Sequence, residues 1–214
     1  MGLRSNFFYN TLAPLYNQFV TSKSYREAIA RFFKDVEFNL ENKEILDAGC
    51  GTGVVSLTLA KYHREARIVG FDKSIEMLYQ AEKARVENGY RNLEFCFGDI
   101  ARVSPLKTLD GRVKTIERES FGNVIVSGAL EHVNIELGIR ELVKYLAKGG
   151  TFYNLSVRDN KPGRRLGKVM GFDPYSKLRV MEAFADAGLG DILEIPIYDR
   201  KLSRFRIAIK GIKI

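Results

Sequence analysis

Asp47-Ala48-Gly49-Cys50-Gly51-Thr52-Gly53 sets one carboxylate ahead of three alternate glycines, at the end of the β-rich run that starts at Glu44-Ile-Leu. Glycines there let the backbone take unusual φ/ψ angles and let a ligand approach the main chain closely. A dinucleotide-binding turn has the spacing G-x-G-x-x-G; its third glycine would fall at position 54, where Val54 stands. A carboxylate at Asp47 suits an amino group or a sulfonium better than a pyrophosphate. The spacing therefore favours a zwitterionic, cationic ligand over a dinucleotide.

Further chemistry-bearing residues follow in order. Asp72 ends the run Val69-Gly-Phe, roughly 20 residues beyond the glycines, where the acid of a Rossmann-like sheet accepts from the ribose hydroxyls. Asp99, in Phe97-Gly-Asp99-Ile100, has an ordinary turn residue as its alternative reading. Ser127-Gly-Ala-Leu-Glu131-His132-Val133 brings an imidazole, the side-chain type most used for proton transfer near neutral pH. His132 is the candidate general base; packing or capping the next helix is its alternative role. Glu131 reads as structural.

The elements that must position these groups alternate. Strands are expected at Glu44–Ala48, Ala66–Phe71, Leu93–Phe97, Asn123–Ser127 and Thr151–Val157. Helices are expected over 54–62, 74–87 with Ser74 as N-cap, 136–146 and 176–187. Asn88-Gly89 supplies a helix stop. Ile192–Tyr198 and Arg204–Lys210 read as a closing antiparallel hairpin with a short polar turn. This is an α/β, Rossmann-like, doubly wound seven-stranded sheet with one reversed strand. A single domain is expected: a helical, aromatic-rich entrance at 1–36, a ligand-binding core at 37–157, a basic loop or lid at 158–174, and a helix with the hairpin at 175–214. The charged 101–120 insertion has room for an extra strand pair after Asp110-Gly111.

In this order the motifs resemble the class I S-adenosylmethionine-dependent methyltransferases. Leu130-Glu-His-Val133 and Leu146-Ala-Lys-Gly-Gly150 are similar to that family's segments around strands four and five, and Ala13-Pro-Leu-Tyr16-Asn17 resembles the entrance of its ubiquinone/menaquinone-type subgroup. Asn17 departs from the usual Asp, and Phe121-Gly122 from the usual Phe-Asp. The resemblance implies an enzyme that binds S-adenosyl-L-methionine and releases S-adenosyl-L-homocysteine. Asp47, Gly49 and Gly51 would hold the amino-acid end of the cofactor, under Tyr16. Asp72 and the adjoining Lys73 would lie at the ribose. Met77, Asp99 and Ile100 would lie at the adenine, and Ser127 along the methionine portion. Met77 has a plain core position as its alternative. Methyl transfer by direct displacement needs mainly alignment, worth about 7–11 kcal/mol; a base such as His132 matters only if the acceptor loses a proton.

Composition bounds the partners. The net charge of +8 suggests an anionic acceptor, and the densest basic run is Arg158–Lys168. Two cysteines and two histidines make a disulfide framework or metal cluster a poor expectation. No apolar run reaches the roughly 20 residues of a membrane span, and the start lacks a signal-peptide core, so a cytoplasmic protein is expected. No Asn-Pro-Pro-Tyr-type segment follows the fourth strand, against methylation of amino groups in DNA. A small-molecule or lipid-precursor acceptor, acidic in character, is the first expectation. RNA or protein is the second, and a binding module without transfer activity the third.

Overall fold

The computed structural model describes residues 22–38 and 40–214. The chain runs through α1 (Lys23–Asp35), β1 (Glu44–Ala48), α2 (Val54–Tyr62), β2 (Arg67–Asp72), α3 (Ile75–Glu87) and β3 (Leu93–Asp99). Then come β4 (Arg102–Thr108), β5 (Val113–Lys114), β6 (Phe121–Ser127), a 3-10 turn (Leu130–His132), α4 (Ile135–Val143) and β7 (Leu146–Val157). It closes with α5 (Lys161–Met170), α6 (Lys177–Asp186), β8 (Leu189–Ile195), α7 (Arg200–Phe205) and β9 (Arg206–Lys213). One sheet holds all nine strands, ordered β5-β4-β3-β2-β1-β6-β7-β9-β8.

The five strands β3, β2, β1, β6 and β7 are parallel neighbours. Such strands are covered on both faces and read as near-continuous apolar runs. In β1, Ile45 enters the core on one face and Leu46 the core on the other. Phe33 of α1, Leu59 of α2 and Leu78 of α3 fill the first core. Ile139 and Leu142 of α4 fill the second with Val180 and Phe184 of α6; Phe184 meets Phe152 edge-on at 5.2 Å. Short polar side chains start the helices: Ser74 accepts from Met77 N, Asn134 from Leu137 N and Ser176 from Arg179 N. The carboxyl ends of the parallel strands thus face one way, and their loops form one rim.

Four expectations are corrected. The seven-stranded sheet is present, with β9 as its reversed strand, but β4 and β5 add an antiparallel pair at its β3 edge. That pair is the 101–120 insertion, turning at Asp110-Gly111 with Gly111 at φ 88°. Residues 158–174 are not a loop: α5 occupies Lys161–Met170. Pro162 lies in its first turn, where no backbone donor is lost, and Gly171 ends it in the left-handed conformation. The closing strands are antiparallel as expected, but α7, capped by Asp199, replaces the short turn. β7 begins earlier than expected and carries Gly149-Gly150 inside it, beside a register shift against β6. Of the 1–36 entrance, residues 1–21 lie outside the described residues and α1 covers the remainder. No helix among the described residues is long and apolar enough to cross a membrane.

Candidate functional site

Asp47 points to the α2 side of the sheet and is fully buried. Its Oδ2 accepts from Ser56 N at 3.0 Å and from Ser56 Oγ at 2.5 Å. Its Oδ1 has no partner among the described residues. Burial pushes this carboxyl up to about 6, against the two Ser56 donors; the neighbouring charge of Asp72 adds to the rise. A buried, half-satisfied carboxylate is matched to a cationic group.

The glycine turn follows, lashed to β2 by Gly49 N and Cys50 N, both donating to Phe71 O at 2.8 and 2.9 Å. All three glycines have positive φ, but they make room for different things. A Cβ on Gly49 would lie 2.4 Å from Ala129 Cβ, so its absence admits the loop after β6. A Cβ on Gly53 would lie 2.8 Å from the Phe95 ring, so its absence seats α2 on the sheet. At Gly51, among the described residues, only Met77 Sδ comes near, at 3.6 Å. Of the three glycines, Gly51 thus has the least covered main chain among the described residues.

Asp72 joins this turn to the next element. Its Oδ2 accepts from Gly51 N at 2.8 Å and its Oδ1 from Ser74 N at 2.8 Å. Lys73 is exposed beside it. Met77 is 45% exposed rather than core, which removes the plain packing alternative. Ile100 is buried, with its Cδ1 3.3 Å from where a Gly49 Cβ would stand. Asp99 is exposed at the end of β3, and its Oδ1 accepts from Ala101 N at 2.9 Å. Ser127 is half-buried at the end of β6. The fold therefore brings Asp47, Gly49, Gly51, Asp72, Met77 and Ile100 into one contiguous group, with Asp99 and Ser127 on the flanking strand ends. Tyr16 lies outside the described residues.

His132 is exposed in the 3-10 turn, three residues past Ala129, and its ring meets Phe172 edge-on at 5.1 Å. Glu131 beside it is structural, as expected: its Oε1 accepts from Val157 N and lies 3.6 Å from Arg206 Nη1. Two further neighbours of these groups were not expected from the sequence. Ser56 was visible only as a serine early in a helix, and Arg206 only as an arginine at the start of a closing strand. Arg206 is buried, with a guanidinium nitrogen 2.9 Å from where a Gly128 Cβ would stand.

A family model described as a methyltransferase domain matches residues 39–177. Over 114 residues the chain is 25% identical to "Probable (S)-tetrahydroprotoberberine N-methyltransferase 2" of Papaver bracteatum, covering 53% of this chain and 28% of that protein. It is also 27% identical over 126 residues to a 4-hydroxy-tetrahydrodipicolinate reductase of Bacillus thuringiensis (strain Al Hakam), covering 58% of this chain and 47% of the reductase. The chain thus matches less than half the length of either relative. Among solved structures, the complex of a Haloferax volcanii methyltransferase activator with its methyltransferase partner superposes with TM-score 0.68 at 18% identity, covering 96% of both chains. Geranyl diphosphate C-methyltransferase of Streptomyces coelicolor A3(2), with Mg2+, geranyl diphosphate and S-adenosyl-L-homocysteine, superposes with TM-score 0.68 at 12% identity, over 89% of this chain and 80% of that one. At these identities the likeness is one of fold. With its family model covering more than half of its length, the chain belongs to the methyltransferase-domain family.

Proposed function

We propose that this chain transfers a methyl group from S-adenosyl-L-methionine to an acceptor that enters beside the loop after β6. The observation that carries the reading is the row of carboxylates Asp47, Asp72 and Asp99 at the carboxyl ends of three adjacent parallel strands, with the glycine turn among them. Dinucleotide binding accounts for an acid in the place of Asp72 alone. The cofactor supplies a methyl group on a cationic sulfur. The residues fit it: Asp47 offers a buried unpartnered oxygen to an ammonium group, and Gly51 offers an uncovered stretch of main chain. Asp72 would hold the ribose, with Lys73 alongside, and Asp99, Ile100 and Met77 the adenine. Gly49 and Ser127 would line the methionine portion, and Tyr16 would cover it.

For the acceptor, His132 would be the side chain that takes up a proton. It is exposed, and Phe172 holds one edge of its ring. A general base matters only for acceptors that lose a proton, where it contributes about 10²–10⁴-fold. The named acceptors of the relatives are small molecules, and one of them, geranyl diphosphate, carries phosphates. That supports an anionic acceptor for a chain of net charge +8.

Calorimetric titration with S-adenosyl-L-methionine and S-adenosyl-L-homocysteine tests the cofactor, on wild type, Asp72→Ala and Asp99→Ala. Micromolar binding that either substitution weakens at least tenfold is the expected result. Folded wild-type protein that binds neither cofactor would overturn the reading.

A further inference from the structure

The positive charge of this chain is gathered rather than spread. Packing sets α7 against α1 on one side and α5 on the other. Arg31 of α1 pairs with the α7 cap Asp199 at 3.0 Å, and the α5 cap Asn160 donates to Arg204 O at 3.0 Å. The three elements with their caps (22–35, 159–170 and 199–205) hold eleven of the 34 lysines and arginines but four of the 26 carboxylates. They therefore account for all but one unit of the net charge of +8. Of those four carboxylates, Asp199 and Asp159 are already paired, with Arg31 and Arg164. Arg165, Lys168, Arg200, Lys201 and Arg204 are all exposed and have no carboxylate within ion-pair distance among the described residues. Residues 1–21 contain no Asp or Glu to neutralise them.

The basic ridge runs into the acceptor side of the site. α5 ends at Gly171, and the next residue, Phe172, carries the ring that meets His132. α7 leads directly into Arg206, whose guanidinium lies against Gly128 in the loop after β6.

We infer that this ridge binds a strand of RNA and presents it to the loop after β6. The statement rests on the methyltransferase reading for what happens next, not for the binding itself. Cations spread over three elements, the longer helices about 15 Å or more each, exceed what a single phosphate group requires. Such an array matches a repeating phosphate backbone. Tyr198 is 91% exposed immediately before the α7 cap, a platform on which a base can stack beside the charges. An anionic membrane would call for apolar side chains to insert beside the cations. No large apolar residue is exposed on α1, α5 or α7.

The test is fluorescence anisotropy of a labelled mixed-sequence single-stranded RNA with the full chain, at low and at physiological salt. Calorimetry with S-adenosyl-L-homocysteine runs beside it. The expected result is RNA binding that weakens steeply with salt, as counterion release requires. Arg165→Glu, Lys168→Glu, Arg200→Glu and Arg204→Glu together should weaken it at least tenfold and leave S-adenosyl-L-homocysteine binding unchanged. If the fourfold variant does not fold, the pair Lys168→Ala and Arg204→Ala should give a smaller loss of the same kind. Wild type that binds the cofactor product but not RNA would overturn the inference. So would RNA binding indifferent to these substitutions, or equal binding of polyglutamate or of anionic vesicles. Wild type that binds RNA but not S-adenosyl-L-homocysteine would uphold the ridge and sink the methyltransferase reading instead.

Discussion

Glu131 Oε1 stands 3.6 Å from Arg206 Nη1, with the two side chains 1% and 7% exposed. Glu131 also accepts from Val157 N, and Arg206 Nε donates to Tyr25 Oη at 2.5 Å. One buried chain of polar contacts thus runs from α1 through β9 to the loop that carries His132. Removing one partner of such a buried pair takes away the other charge's counterion, which costs about 3–5 kcal/mol. Glu131→Ala should therefore lower stability in urea denaturation by about 3 kcal/mol. A loss below about 1 kcal/mol would show that the pair is not needed to hold the loop.

Asp47 has a pH signature of its own. Its carboxyl is raised from 3.8 to about 6 by burial, so between those values the folded state holds a proton that the unfolded state has lost. Stability then falls as pH rises through this window, and the ionised group costs about 3 kcal/mol above it. Asp47→Asn should consequently leave the protein as stable as wild type or more so at pH 7, while being neutral or harmful at pH 4. Cofactor affinity should move the other way: a cation needs the ionised carboxylate, so binding should weaken as pH falls through about 6 in wild type and become flat in the variant. Calorimetric titrations from pH 5 to pH 8 check this, and a flat wild-type profile would remove Asp47 from the ligand's contacts.

The glycines separate packing from binding. Gly49→Ala places a Cβ 2.4 Å from Ala129 Cβ at φ 69°, so it must displace the loop after β6. A loss of about 1–3 kcal/mol is expected from the overlap, with weaker cofactor binding besides. Among the described residues Gly51→Ala meets only Met77 Sδ at 3.6 Å, leaving the left-handed conformation itself, at about 1–2 kcal/mol, as its cost. Its larger effect should be on the cofactor, whose path the new methyl enters. Thermal melts and calorimetry of both variants check the contrast; equal binding by Gly51→Ala and wild type would mean that the open face is not the ligand's.

Local chemistry was readable from the residues in order. Asp47 and its glycines, Asp72 at the end of β2 and the Ser74 cap are consequences of short-range spacing, because a strand ending in glycine and a serine-capped helix are decided within a few residues. The same short range misled at 158–174, expected as a basic loop or lid: Pro162 and Gly171 stand at the start and end of a helix, the places that suit them.

The contacts decided by tertiary structure join residues far apart along the chain. Ser56 reaches Asp47 only because α2 folds back over β1, and Arg206 reaches Tyr25 across 181 positions because β9 pairs with β7 beside α1. The basic run at 158–168 was visible in the sequence, but its meaning was not, since the charge on a surface depends on which elements share that surface. Coulomb interactions act through space, and space is shared here by α5 and α7 with α1, which lies more than a hundred residues of chain before either of them.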